Sequence, residues 1–450
     1  MKKLIDSLKN IWKIEDLRYR IMITLGLIFI YRVGSFIVIP GVDPSGLEAI
    51  QAQGGKGLLG LINMFAGGAF ANASIFALGI MPYISASIAV QLLTLAVPSF
   101  QKMQKEGESG RRKINQITRY LTVLVTAVQA YGYIQYLYSF GGNAIVQSVP
   151  PAIFQISTVI VLVTGTLFVM WIGEKITDKG IGNGISLIIM IGIIASLPSS
   201  LLQELSSRFV QGGLIMFLVE IAALIGVVIA TILLIQGTRR IPVQYAKRSV
   251  MKGGRMMQQG GVRQYIPLKV NASGVMPIIF AQALMFLPST IAQFVPGFEQ
   301  NSQFLVAFND ITSVAYNASY FILVILFTYF YTALIINPIQ MADDLKKNGG
   351  FIPGVKPGRR TSEFIDNVMS RITLPGSIFL GLVAILPAFA MKFNIDPSFA
   401  LFYGGTSLLI IVGVVLDTLQ QVESQLLMRR YEGLTKSGRI KGRAGVGASI

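Results

Sequence analysis

The sequence contains no cysteine and no histidine, and charged residues are scarce. The chain therefore cannot form a disulfide, a thiolate nucleophile, a zinc site with His or Cys ligands, or a catalytic arrangement that uses an imidazole base. Charged residues make up 13% of the 450 residues, whereas a soluble domain carries roughly 25%. Because 53% of the residues are hydrophobic, the composition indicates an integral membrane protein.

Motifs for nucleotide chemistry and for paired carboxylates are also missing. No G-x-x-x-x-G-K-[ST] phosphate loop occurs, so the chain does not supply its own nucleotide motor. Glu220 lies in one apolar segment and Asp417 near the inner end of another, but no carboxylate pair is visible in the apolar segments. This argues against an intramembrane aspartyl protease and removes the usual signature of ion-coupled transport. We therefore expect no enzymatic activity, no metal and no cofactor.

Ten segments of about 20 or more mostly apolar residues follow one another, and a helix is the economical way for each to cross a bilayer. They are Ile21–Pro40, Ala73–Val97, Ile114–Tyr138, Ala152–Trp171, Ile181–Leu202, Gly213–Ile235, Ala272–Phe294, Ile311–Asn337, Arg371–Ala390 and Pro397–Leu416. The sequence thus predicts an all-α polytopic membrane protein with ten transmembrane helices.

The distribution of basic residues predicts the orientation of these spans. The net charge is +17, and all but four of the 38 Lys and Arg lie in the two terminal segments or at the connections that follow the even-numbered spans. The four exceptions are Arg32, Lys56, Arg208 and Lys392. The positive-inside rule therefore places both termini in the cytoplasm.

Ten spans divide naturally into two halves of five. Because five is odd, the second half would enter the membrane with opposite polarity, as in an inverted repeat, although no residue-level repeat is visible. We expect a cytoplasmic N-terminal segment (1–20), a first half (21–205), a second half (206–420) and a cytoplasmic tail (421–450). Two long cytoplasmic loops, 236–271 and 338–370, interrupt the second half.

The first long loop contains two strand-like stretches, Ile241–Tyr245 and Tyr265–Val270. Two Gly-Gly pairs lie between them, so we predict an extended β-hairpin. The second loop contains two Pro-Gly steps within Pro353–Thr361, which indicates a turn-rich tip.

The stretch "LLGLINMFAGGAF", from Leu58 to Phe70, is apolar but too short to span a membrane. As a helix it would cover about 20 Å, whereas the bilayer core is about 30 Å thick. It precedes the second span, so we predict a re-entrant half-helix inside a cavity of the protein.

In the second span, Ser87, Gln91 and Thr94 share one helix face. Ordinary helix–helix hydrogen bonds are one explanation for them. The other is a seam between two helices that must separate and that weak polar contacts hold closed.

Several stretches together resemble one known family over nearly the whole chain. They are "NMFAGGA" (Asn63–Ala69), "SIFALGIMPYISASI" (Ser74–Ile88), "KEGESGRRKI" (Lys105–Ile114), "GIGNGIS" (Gly180–Ser186), "YAKR" (Tyr245–Arg248), "IPLKVN" (Ile266–Asn271), "LKKNGGFIPG" (Leu345–Gly354) and "YGGTSLLI" (Tyr403–Ile410). This combination is similar to the SecY/Sec61-alpha family of protein-conducting channels. The resemblance implies two five-helix halves around an hourglass pore that passes unfolded polypeptides and releases hydrophobic segments sideways into lipid.

The resemblance also implies roles for particular residues. A ring of isoleucines would form the waist of the pore: Ile80, Ile84, Ile189, Ile279 and Ile410. A plug at about 58–70 would close the outer funnel with Leu59, Leu61, Ile62, Asn63, Met64, Phe65, Gly67 and Gly68. The polar residues Ser87, Gln91 and Thr94 would lie at a lateral gate, where the second and third spans face the seventh and eighth.

Partners are implied in the same way. The long loops would dock the SecA motor or the phosphates of ribosomal RNA through Arg239, Arg240, Lys247, Arg248, Lys356, Arg359 and Arg360. Many family members carry arginine where Lys356 stands, and a lysine lacks the planar fork of arginine. SecE and SecG would complete the complex, signal peptides and nascent polypeptides would be its substrates, and membrane lipids would surround it in the bacterial plasma membrane.

Two other function classes are compatible with parts of the sequence. A ten-helix secondary transporter with inverted repeats fits the topology, but it predicts a midplane site with ionisable groups and short cytoplasmic loops. A catalytically silent structural subunit is the third interpretation.

Overall fold

The computed structural model describes residues 14–47, 57–140, 145–146, 150–210, 213–245, 248–252, 255–259, 263–294 and 310–437. Helices dominate this part of the chain. They are α1 (Glu15–Gly34), α2 (Gly57–Phe65), α3 (Met81–Ala96), α4 (Pro98–Lys105), α5 (Glu108–Phe140), α6 (Pro151–Lys179), α7 (Gly184–Val210), α8 (Leu214–Gln236), α9 (Met276–Phe294), α10 (Val314–Ile335), α11 (Pro338–Lys347), α12 (Arg359–Lys392), α13 (Pro397–Ala400) and α14 (Gly405–Ser437).

Each of the ten predicted apolar segments contains part of one long helix, namely α1, α3, α5 to α10, α12 or α14. In the described part of the chain, six helical segments are long and apolar enough to cross a membrane, or seven if the bent pair α3 and α4 forms one span. The other predicted spans lie on helices that are shorter or more polar. The fold is that of an all-α polytopic membrane protein.

The helices pack in two groups that follow the order of the chain. α3, α5, α6 and α7 pack against their neighbours in sequence, and α1 lies against α6. In the second group α10 packs between α9 and α12. The two groups meet along α7, which contacts both α8 and α14.

The outer surface of α8 is apolar and uncovered. Ile215, Leu218 and Leu233 are all exposed there. Such residues are stable on the outside of a helix only when lipid or another apolar partner covers them. The exposure of α8 therefore agrees with a position at the edge of the bundle, facing the bilayer.

A small sheet joins the two long loops. Strand β1 (Thr238–Tyr245) pairs antiparallel with β4 (Arg263–Lys269), with Ile241 opposite Ile266, so the predicted hairpin is confirmed. The hairpin continues through β2 (Arg248–Lys252) and β3 (Arg255–Gln259), which pair with each other. The sequence did not predict that β5 (Gly350–Phe351), from the other loop, pairs with the end of β1.

Apolar residues fix this sheet on the helices below it. Ile241 and Val243 alternate with exposed residues along β1 and are buried, as is Leu268 on β4. They form one cluster with Leu345 of α11 and Ile365 of α12. Because both loops contribute to this cluster, they form one body on the end of the second helix group.

Several predicted boundaries differ from the observed ones. The predicted span Ala73–Val97 starts with turns, and its helix begins only at Met81. In the predicted span Pro397–Leu416, α13 stops at Ala400 and the long helix begins at Gly405, whose φ of +62° favours glycine. Helix α7 continues to Val210, past the residue 205 at which the first half was predicted to end.

Candidate functional site

All five isoleucines expected to form a ring belong to one apolar core. Ile80, Ile189 and Ile410 are 1%, 3% and 2% exposed. Ile84 and Ile279 are partly buried and pack against the same core. The residues come from the start and first turn of α3, from α7, from α9 and from α14, so both helix groups contribute to this centre.

The short apolar segment forms α2, a nine-residue helix that packs against α7. Its residues Leu61, Met64 and Phe65 are buried in the same core as the isoleucines, and Ile62 packs against that core. The side chain of Leu59, also expected to belong to the plug, lies outside the described residues. The predicted half-helix is therefore present, and it packs into the same apolar core as the isoleucines.

The two glycines after α2 end the helix in a defined way. Gly67 and Gly68 have φ values of +65° and +87°, which favour glycine. The Gly68 N–H donates to the carbonyl of Asn63 and the Gly67 N–H to that of Met64, a pair of bonds that forms a Schellman motif. The Asn63 side chain accepts from the Ala71 N–H at 2.9 Å, so Asn63 serves the turn more than the apolar core.

The three polar residues of α3 form a connected chain. Gln91 Nε2 donates to Ser87 Oγ at 3.3 Å, and Thr94 Oγ1 donates to the Gln91 carbonyl at 2.6 Å. Gln91 Oε1 also accepts from the hydroxyl of Tyr331, on α10, at 2.5 Å. Gln91 thus connects the first helix group to the second.

Sequence reasoning missed Tyr331, which is the partner of Gln91 across this seam. Tyr331 also packs edge-on against Phe280 of α9, with ring centroids 4.7 Å apart. An aromatic-rich stretch such as Phe327–Tyr331 gave no signal of a polar contact 240 residues away in the chain. The bond to Gln91 crosses the seam between α3 and α10. The aromatic contact lies on one side of the seam, where it holds the Tyr331 ring against α9.

The basic residues expected to dock partners are exposed where the structure describes them. Arg239 and Arg240 lie on β1, and Lys356, Arg359 and Arg360 lie at or just before the start of α12. Arg359 forms an exposed ion pair with Glu363 at 3.0 Å, which is too solvated to hold its guanidinium strongly. Lys247 lies outside the described residues, and Arg248 is placed on β2 without a described side chain.

A buried charge cluster, which the sequence did not predict, lies just beyond the predicted span Ile181–Leu202 and includes Glu220 of the next span. Arg208 Nε lies 2.7 Å from Glu204, and Arg208 Nη2 lies 2.7 Å from Glu220. Arg208, Glu204 and Glu220 are 9%, 1% and 3% exposed as whole residues. Arg208 Nη2 also donates to the carbonyl of Asn394 at 2.8 Å, and Glu204 accepts from the Asp396 N–H.

This cluster connects the end of α7 with α8 and with the connection before α13. It lies in the last two turns of α7, and an arginine bridges its two carboxylates. That arrangement is a structural ion network and differs from the midplane ionisable site that a secondary transporter would need.

The fold and the site together define a class: a polytopic helical membrane protein with an apolar core shared by two helix groups, a short helix packed into that core, and a polar bond between the groups. The family model described as SecY matches residues 74–419. The curated protein translocase subunit SecY of Streptomyces galbus is 44% identical over 449 residues, covering 96% of this chain and 100% of that protein. The corresponding proteins of Chlamydia trachomatis and Mycobacterium tuberculosis are 40% and 43% identical over nearly full length.

Solved structures agree with this at the level of the fold. One described as a protein conducting channel superposes with a TM-score of 0.61 at 17% identity, covering 94% of this chain and 95% of that one. Sec61 in a canine ribosome–channel complex superposes with a TM-score of 0.58 at 16% identity and the same coverage. The chain therefore belongs to the SecY family, and it is a multi-pass membrane protein.

Proposed function

We propose that this chain is the central protein-conducting channel subunit of a bacterial Sec translocase. It passes unfolded polypeptides across the membrane and releases hydrophobic segments sideways into the bilayer. The observation that carries this proposal is that five isoleucines from both helix groups, together with the buried face of α2, lie in or against one apolar core. Membership of the SecY family supports it independently.

The chemistry of this centre suits a gate that must open for a chain and stay closed to ions. A narrow apolar constriction excludes ions by dewetting. Isoleucine is bulky and stiff at χ1, so a few such side chains define a tight opening. A passing polypeptide displaces them without breaking a hydrogen bond, which keeps the cost of opening low.

The seam between α3 and α10 supports the second part of the proposal, lateral release. Among the described residues, Gln91 and Tyr331 form a polar bond across the seam. Polar contacts between membrane helices contribute about 0.6 kcal/mol on average. A hydrophobic signal segment therefore displaces this contact easily, and the polar side chains specify the closed register of the two helix groups.

Partners supply the energy and the attachment. The basic residues Arg239, Arg240, Lys356, Arg359 and Arg360 lie on the joined loops, where they would meet the phosphates of ribosomal RNA or acidic groups of the SecA motor. SecE and SecG would complete the heterotrimer. The distribution of Lys and Arg supports a cytoplasmic location for these loops and both termini, as the positive-inside rule predicts.

Reconstitution tests the proposed function directly. The chain would be reconstituted with its small partner subunits and the SecA motor in vesicles, and a labelled secretory precursor would be added with ATP. We expect the precursor to become protease-protected in these vesicles, but not in vesicles that contain the partners alone. Equal protection in both preparations would contradict the proposal, and so would uptake of small solutes without any precursor transport.

A further inference from the structure

Arg32 carries a charge in the last turn of α1. An ionisable residue in a membrane helix is costly and usually has a specific partner. The simplest expectation is that the side chain extends to the membrane surface. The structure instead directs it to the segment after α2, where Arg32 Nη1 donates to the Gly67 carbonyl at 2.8 Å. The guanidinium also lies 5.3 Å from the centre of the Phe36 ring.

Two tyrosines bind the same segment in the same way. The Tyr31 hydroxyl donates to the Ala66 carbonyl at 3.2 Å, and the Tyr133 hydroxyl, on α5, donates to the Phe70 carbonyl at 2.8 Å. Both tyrosines are buried. Three side chains from α1 and α5 therefore donate to three carbonyls within residues 66–70.

The place of these carbonyls explains why the donors are needed. The carbonyls of Ala66, Gly67 and Phe70 follow the end of α2 at Phe65, in a turn-rich segment near the negative end of the helix dipole. Here that end is buried, so water does not supply the missing donors. A guanidinium is well suited to this position because it is always charged and offers several donors in one plane.

Backbone packing fixes the same turn from a third side. A methyl group added at Gly192, on α7, would lie 2.8 Å from the Phe65 carbonyl oxygen and 3.1 Å from the Gly67 nitrogen. A methyl group added at Gly67 would lie 3.0 Å from the Gly192 Cα. The turn is therefore in close contact with α7, a helix of the first group.

The contacts of α2 toward the second helix group are of another kind. Leu61 borders a small cavity that is also lined by Tyr320, Ala384 and Leu401. These are side chains that separate without the loss of a backbone hydrogen bond. Among the described residues, the side-chain donors to residues 66–70 thus come from the first helix group, whereas Leu61 borders a cavity that both apolar and polar side chains of the second group line.

We propose that Arg32 is a positioning residue that fixes the pivot of α2. Together with Tyr31 and Tyr133 it holds residues 66–70 on the first helix group, while α2 swings about Gly67 and Gly68 when the channel opens. The proposal rests on the proposed channel function. The anchored residues give the plug a fixed end. After each polypeptide has passed, α2 therefore returns to the same closed position.

Label distances in the intact complex test the pivot. The chain lacks cysteine, so pairs of spin labels would be placed at positions 62 and 156 and, separately, at 75 and 156. Ile156 is exposed on α6 and serves as the fixed reference. When a stalled secretory chain is engaged, we expect the 62–156 distance to change and the 75–156 distance to stay constant.

Two results would overturn the pivot in different ways. If both distances change, the segment after α2 moves with the plug and the pivot is wrong, while the channel function stands. If neither distance changes although a chain is engaged, α2 is not a moving plug, and that part of the proposed function fails together with the pivot.

Variants of Arg32 test its particular role in the resting complex. Arg32→Met keeps the length of the side chain but removes its donors and charge, and Arg32→Lys keeps the charge. We expect Arg32→Met to increase the population of displaced α2 about tenfold, which equals about 1.4 kcal/mol. The 62–156 distances should broaden and the resting ion conductance should rise, with substantial rescue in Arg32→Lys.

Tyr133→Phe provides a second test if Arg32→Met does not fold. It removes one donor to the Phe70 carbonyl and keeps the ring, so we expect a smaller broadening in the same direction. If Arg32→Met folds and its 62–156 distance distribution is unchanged, the role of these donors is refuted. If Arg32→Met does not fold, an unchanged distribution in Tyr133→Phe refutes it.

Discussion

At the scale of single residues, two kinds of residue have different roles within one apolar core. The isoleucines at the centre are stiff and apolar, whereas Gly67 and Gly192 have no side chain and allow two backbones to touch. Neither role requires a charge or a reactive group. Mutations distinguish the two roles. Shortening an isoleucine should widen the constriction, whereas enlarging a glycine should displace the end of α2.

Shortening the central isoleucines should open the resting channel to ions. We expect Ile84→Gly combined with Ile279→Gly to raise the single-channel leak in planar bilayers, because the constriction becomes wide enough to hold water. The control is Ile229→Gly, since Ile229 is exposed on α8 and a glycine there also costs about 1 kcal/mol of helix stability. Equal conductance in the double variant and the control would contradict the assignment of the ring.

Enlarging Gly192 should displace the end of α2. In Gly192→Ala the new methyl group would lie 2.8 Å from the Phe65 carbonyl oxygen, so the turn after α2 must shift. We expect an increased resting leak with nearly normal assembly. Gly226→Ala is the matched control, because nothing lies within 4 Å of a methyl group there. If both variants conduct like the parent, the close approach at Gly192 has no part in the seal.

At the scale of elements, two contacts join parts of the chain that are distant in sequence. One is the seam between α3 and α10, and the other is the sheet that joins the two long loops. Under the proposed function the seam would open, whereas the sheet shares an apolar cluster with α11 and α12 and should move as one body. The two contacts therefore respond differently to mutation.

Removing the Tyr331 hydroxyl should weaken the closed seam. Tyr331→Phe loses the donor to Gln91 but keeps the ring against Phe280, so we expect a loss of about 0.6 kcal/mol and easier export of precursors with weak signal sequences. Tyr320→Phe is the control on the same helix, because the Tyr320 hydroxyl has no hydrogen-bond partner among the described residues. A double variant with Gln91→Leu should add little to Tyr331→Phe. If the two effects add fully, the bond does not hold the seam.

Reversing the loop charges should impair docking more than membrane insertion. We expect Arg240→Glu, Lys356→Glu and Arg359→Glu together to weaken binding of the motor or the ribosome at physiological salt, and the loss should shrink at high salt as charges are screened. Lys392→Glu, at the other end of α12, is the control. Normal binding by the triple variant would remove these residues from the docking surface.

At the scale of the whole molecule, α7 lies between the two helix groups, and the buried cluster at its end connects them. Glu204, Arg208 and Glu220 join α7 to α8, and Glu204 and Arg208 also bind the backbone before α13. If the two helix groups rotate relative to each other about the end of α7, the cluster either stays intact or loses its ion pairs. We expect it to stay closed, because an unpaired buried charge is strongly destabilising.

Removing the arginine tests the cluster. Arg208→Met leaves two buried carboxylates without a counter-charge, so we expect a loss of about 3–5 kcal/mol in stability. The measurement is thermal unfolding of the purified complex in detergent. The variant Glu204→Gln, Arg208→Met, Glu220→Gln should recover most of the loss, because no charge remains. A triple variant as unstable as Arg208→Met would show that the charges are not the cause.

Much of the molecule could be predicted from the sequence, and the limits have physical causes. Hydropathy located the ten apolar segments and the short α2, and alternating residues with glycine pairs located the hairpin β1–β4. Helix starts at Met81 and Gly405 were missed, because turns with left-handed residues such as Gly79 leave an apolar sequence uninterrupted. Pairs such as Gln91 with Tyr331 were missed because tertiary packing selects them, and local patterns carry no trace of it.

The most direct test of the central claim is a cross-link from a translocating chain to the centre of the channel. An engineered cysteine at position 84 would be the single thiol of this cysteine-free chain, and a stalled secretory chain would carry a cysteine-reactive probe along its length. We predict efficient cross-linking at position 84 and none at position 229 on the exposed face of α8. Cross-linking at 229 without any at 84 would contradict passage through the apolar ring.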